Sequence, residues 1–92
     1  MNVHNARDLG AAAREKREAL GLTQQALADA AGVSREWLLG FEGGKPGVSL
    51  FRVFTVLHAL HLTVDLSDST EVDEDTLLDD VFDGLDRPWP AN

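Results

Sequence analysis

The stretch Leu22–Lys45, LTQQALADAAGVSREWLLGFEGGK, decides the fold. It reads as two short helices joined by a tight turn. Thr23 stands at an N-cap position ahead of a helix over about 24–31, and Ser34 at another ahead of a helix over about 35–42. A hydroxyl at each point satisfies N–H groups that a helix start leaves without partners. Between them Gly32 can take the left-handed conformation that a sharp turn demands. Ala28 is small enough to let two helices approach closely. Leu27 and Ala31 form the buried face of the first helix, Leu38 and Phe41 that of the second, and Gly43-Gly44 stop the run. Two helices so joined make a helix-turn-helix, a unit whose usual work is to lay its second helix in a DNA major groove.

Upstream, a helix over about 6–20 shows Leu9, Ala13 and Leu20 at helical spacing. Arg17 falls on the same stripe, where a charge needs a partner. Glu42, one turn beyond Leu38, holds the equivalent position on the third helix, so an Arg17–Glu42 ion pair between the two is predicted. Downstream, the connector 43–48 holds Pro46 and three glycines, and Ser49 caps a fourth helix over about 50–61. That helix is apolar around most of its circumference and must be buried nearly all round. A head this small covers one face only. The other face predicts a second copy of the chain, with Phe51, Phe54 and Leu57 in the interface. Thr63–Leu66 then alternates polar and apolar residues, as a short strand would. A lone strand is unstable, so Val64 and Leu66 are expected to pair with their counterparts across a two-fold homodimer; the alternative is an extended linker.

The charge is lopsided. The chain of 92 residues carries a net charge of -8. Up to Leu66 the seven basic residues are matched by seven acidic ones, and from Ser67 onward nine acids face Arg87 alone. A neutral head binds DNA if its basic residues share a face, provided the acidic tail keeps clear of phosphate. The organisation is thus residues 1–66 as a DNA-binding and dimerisation domain and 67–92 as an acidic, flexible tail. Within the tail, Leu77, Leu78, Val81, Phe82 and Leu85 lie on one stripe of a short helix, followed by Trp89 between two prolines. Leu78, Phe82, Leu85 and Trp89 are the candidates for contact with a protein partner. There is no cysteine, no apolar signal core at the N-terminus and no apolar run of membrane-spanning length. A soluble, cytoplasmic protein that binds no membrane is expected.

The residues Arg14–Lys45, REKREALGLTQQALADAAGVSREWLLGFEGGK, resemble the Xre and phage-repressor type of helix-turn-helix. The continuation GKPGVSLFRVFTVLHALHLTVDL looks like HipB-like antitoxins in particular. The resemblance spans about Asn5–Leu66 and implies an all-α, lambda-repressor-like fold of four to five helices, with the extra strand forming a shared sheet in the dimer. It also implies a repressor that binds a palindromic operator in double-stranded DNA, autoregulates its operon and neutralises a HipA-like kinase toxin. The acidic tail lies outside the matched region.

In that family the start of the third helix reads bases. Here those positions are Ser34, Arg35, Glu36 and Trp37, with Gly40 one turn on. Arg35 suits guanine O6 and N7, and Glu36 suits a cytosine amino group. Trp37 either covers a thymine methyl or packs on helix two or four. Gly40 costs a helix interior about 1 kcal/mol relative to alanine, which points to a close approach. Gln24 matches a family glutamine that clamps phosphate; Lys45, the N–H groups of Gly43 and Gly44, and Arg52 are further phosphate candidates. His58 and His61 have no third ligand in sight and read as histidines at the edge of the core. No metal, no cofactor and no catalytic constellation is expected. Two other readings stay open: a stand-alone Xre-type regulator without a toxin, and an interaction module working through its tail.

Overall fold

The computed structural model describes residues 2–68. Four helices follow in order: α1 (Ala6–Ala19), α2 (Gln24–Ala31), α3 (Arg35–Glu42) and α4 (Leu50–Ala59). All four begin in the same way. Asn5, Thr23, Ser34 and Ser49 sit in extended backbone, and each side-chain oxygen accepts from the backbone N–H three residues on. All four also end alike. A left-handed residue (Gly21, Gly32, Gly44 or His61) turns the chain, and the next residue donates its N–H to a carbonyl five residues back. These are Schellman closures, which satisfy the carbonyls that a helix C-terminus leaves open. Only the last lacks glycine: His61 holds φ 59°. The fourth helix therefore ends two residues earlier than its apolar run suggested.

The core is built where α2 meets α3 and α4 and where α1 meets α3. Ala13, Leu27, Ala28, Leu38, Phe41, Val53, Val56, Leu57 and Leu60 fill it. Burying a leucine or phenylalanine side chain contributes about 1.5–3 kcal/mol each, the main favourable term in a domain this small. Three expectations need correction. Leu20 is 45 % exposed, because the helix ends before it and its side chain leaves the stripe. Leu57 is only 3 % exposed: it belongs to the core of the single chain and is not available to a partner copy. His58 and His61 are both exposed rather than at the edge of the core.

Gly10, which sequence spacing does not single out, is buried where α1 crosses α3. A Cβ built there would overlap the Phe41 carbonyl oxygen and lie 3.0 Å from that of Glu42. One turn earlier on α1, Arg7 presses its backbone against Gly44, whose own Cβ would come within 2.9 Å of Arg7 Cα. Gly10 on α1 and Gly44 in the turn after α3 let the first half of α1 lie directly on the end of α3. Beyond α4, residues 62–68 carry no helix or strand in the single chain. The expected tail helix, with Leu78, Phe82, Leu85 and Trp89, lies outside the described residues. Among the described residues no helix is long and apolar enough to cross a membrane.

Candidate nucleic-acid interface

α3 is amphipathic. Leu38, Phe41 and Glu42 face inward, while Ser34, Arg35 and Glu36 are exposed at its leading end. Ser34 caps the helix by accepting from Trp37 N–H at 3.0 Å. Its hydroxyl proton remains available as a donor at a helix N-terminus, where anions are favoured. Arg35 makes no ion pair with another described residue.

Arg35 also lines a shallow depression of about 550 Å³ together with Arg14, Arg17, Thr23, Gln24 and Gln25. The wall thus combines the last turns of α1, the start of α2 and the start of α3. It holds three guanidinium groups and no carboxylate. Arg14, Thr23 and Gln25 were not among the residues expected at such a site. The only sequence signal that pointed to Arg14 is its position one turn before Arg17.

Beneath the depression lies a charged network. Arg17 donates from Nε to Glu42 Oε2 at 2.8 Å and from a terminal nitrogen to Glu42 Oε1 at 3.1 Å, and a third bond runs to the Leu22 carbonyl at 2.8 Å. Both residues are 8 % exposed. The hydrogen bond to Glu42 raises the guanidinium further above its ordinary value, against the opposing effect of burial. Gln24 donates one amide hydrogen to Glu42 Oε1 at 3.2 Å. Its second amide hydrogen is left for an incoming group, and the bond to Glu42 fixes which way the amide points. No buried side-chain nitrogen or oxygen of the described residues lacks a partner.

Other expected positions fall elsewhere. Trp37 is half-buried and stacks on Phe41, one turn along its own helix, with ring centroids 5.4 Å apart and planes 24° apart. The stack packs the indole against the edge of the core. Gly40 is half-covered by the stem of Lys45: a Cβ there would meet Lys45 Cδ at 3.4 Å. The close approach that its place in a helix suggested is therefore met within the chain. Gly43 and Gly44 cannot offer their N–H groups to phosphate. They donate to the Leu39 and Phe41 carbonyls at 3.0 Å each, at a helix C-terminus, the end that repels anions. Lys45 and Arg52 are exposed but do not line the depression.

Comparison with known proteins bears on the family and the fold. A family model described as a helix-turn-helix domain matches residues 8–69. A curated relative, the HTH-type transcriptional regulator y4mF of Sinorhizobium fredii, is 36 % identical over 59 residues, which cover 64 % of this chain and 78 % of that protein. Among solved structures, the HipB–O4 20mer complex superimposes with TM-score 0.71 at 26 % identity, covering 76 % of this chain and 99 % of that one. The HipA–HipB–O2–O3 complex gives the same values. The restriction-modification controller protein C.AhdI from Aeromonas hydrophila matches with TM-score 0.56 at 36 % identity, over 60 % of this chain and 83 % of that one.

Proposed function

Since this chain belongs to the helix-turn-helix family, of the Xre type and HipB-like in its architecture, we propose that it is a transcriptional repressor that reads an operator with the leading end of α3. The observation that carries this is the exposed Arg35 beside a carboxylate-free depression lined by arginines and by Gln24. Arg35 and Glu36 make the base contacts. Arg14, Ser34 and one N–H of Gln24 hold phosphates, with Lys45 and Arg52 adding charge farther out. Two protomers place their α3 helices about one helical turn apart on a palindromic site.

The dimer that this requires is built from the outer face of α4. Leu50 and Phe51 are 67 % and 81 % exposed, and Phe54 about half. An apolar patch of this kind on a small domain marks an association surface. Val64 and Leu66, beyond the end of α4, are exposed as well. A sedimentation measurement tests it: Phe51→Glu turns a concentration-stable dimer into a monomer without unfolding it.

Likeness to HipB in a complex with HipA supports the finer reading, a HipA-like kinase toxin as protein partner and repression of the shared operon. The test of DNA binding is fluorescence anisotropy on the DNA upstream of the gene. We expect tight, salt-sensitive binding that the Gln24→Ala/Arg35→Ala chain loses. Binding that is indifferent to salt or to both substitutions overturns the proposal. Co-purification of the full chain with a HipA-like kinase encoded beside it tests the partner; failure to co-purify leaves a stand-alone regulator.

A further inference from the structure

We infer that the arginine-lined depression is a docking surface for acidic peptide, and that its resident occupant is this chain's own segment 69–92. The surface gathers Arg14, Arg17 and Arg35 on a wall whose other residues are Thr23, Gln24 and Gln25, all capable of hydrogen bonding. Arg14 and Arg17 are offset by Glu18 and Glu42, whereas Arg35 has no carboxylate within ion-pair distance among the described residues. A guanidinium accepts a carboxylate in the same forked geometry as a phosphate. A surface shaped for one anion is therefore open to the other.

The occupant follows from where the charge lies. Residues 69–92 hold eight acids against Arg87, so this one segment carries a net charge of -7 out of the chain's net -8. It is joined to the head at residue 68, where the described chain ends. Twenty-four residues reach up to about 80 Å when extended, well beyond the roughly 30 Å breadth of a small domain. No part of the head is out of range. A tether of this length presents its acids at an effective concentration on the order of millimolar, enough to fill a weak site. DNA must then displace the segment before its phosphates reach Arg14 and Arg35. That consequence rests on the DNA-binding reading above; the docking itself does not.

The experiment compares the full chain with a full-length variant carrying E71Q, D73N, E74Q, D75N, D79N and D80N. Nitrogen–proton spectra are first recorded without DNA. At low salt the Arg14 and Arg35 side-chain Nε–H signals and the amides of Thr23, Gln24 and Gln25 are expected to differ between the two proteins, and the difference should close by about 0.5 M salt, where screening is strong. Superimposable spectra at these positions overturn the docking, as do shifts that grow with protein concentration, which would make another copy the donor. A non-specific duplex is then added. The neutralised chain is expected to bind about ten-fold tighter at low salt, with the gap narrowing as salt rises. Equal affinities overturn the competition. Spectral differences without duplex binding by either protein leave the docking standing and defeat the DNA-binding reading instead.

Discussion

Arg17 and Glu42, 25 residues apart in sequence, meet through two parallel hydrogen bonds that tie the end of α1 to the end of α3. The pair sits beneath the candidate interface, and Glu42 extends it to Gln24. Removing one partner leaves the other charge buried and unpaired, at a cost of about 3–5 kcal/mol. Urea unfolding of Arg17→Met, Glu42→Leu and the double variant should show each single change costing that much and the pair far less than their sum. Strict additivity would mean that the two charges do not depend on each other. The raised pKa of Arg17, caused first by its hydrogen bond to Glu42, stabilises the fold at neutral pH but adds no pH dependence there. A raised basic group contributes fully below its unfolded value and loses its contribution only as pH climbs past that, far into the alkaline range.

Two glycines in helices should respond oppositely to alanine. At Gly10 a methyl meets the Phe41 carbonyl, which backbone cannot yield without shifting α1 off α3. Gly10→Ala is expected to cost about 1–3 kcal/mol, lowering Tm by roughly 4–8 °C for each kcal/mol in a domain of this size. At Gly40 the methyl makes ordinary contact with the flexible stem of Lys45. Gly40→Ala is expected to stabilise by up to about 1 kcal/mol. Calorimetric scans of both variants decide the matter; a shared sign would contradict the geometry.

The closure of α4 carries avoidable strain. His61 takes the left-handed conformation that glycine takes at the other three helix ends. His61→Gly relieves a penalty of about 1 kcal/mol, since its side chain is exposed and has no hydrogen-bond partner among the described residues. A rise in the urea midpoint at constant slope is the expected result. A fall would show that the imidazole contributes a contact worth more than the strain.

Much of this was legible in sequence, and for definite reasons. The caps at Thr23, Ser34 and Ser49 and the turn at Gly32 are local chemistry, so the bounds of α2 and α3 follow from neighbouring residues alone. The Arg17–Glu42 contact could be read because each charge interrupts an apolar stripe. What escaped depends on distance in three dimensions. Nothing near Gly10 in sequence reveals that a carbonyl of α3 lies against it. The fate of Gly43 and Gly44 turned on direction: glycines after a helix suggest free N–H groups, but a Schellman closure aims those groups back at the helix. Leu57 was assigned to a partner because α4 is apolar all round, and periodicity cannot say which side faces its own core.

The phosphate contacts can be separated from the base contacts by salt. Each of Arg14→Gln, Lys45→Gln and Arg52→Gln should weaken binding to all duplexes alike and reduce the slope of log affinity against log salt by roughly 0.9 where a phosphate contact is lost. Alanine at Gly43 should leave that slope unchanged, because its N–H is committed to Leu39. A slope altered by Gly43→Ala would return the loop to the interface.

The central claim, that Arg35 at the head of α3 reads a base, is tested most directly by selecting preferred sites from a random duplex library with the wild-type chain and with Arg35→Ala. The account predicts a two-fold symmetric motif for the wild type and the loss of preference for guanine at one position in each half-site, worth about 1–3 kcal/mol, with the rest of the motif kept. Identical motifs from both proteins, or no motif from the wild type, would contradict it.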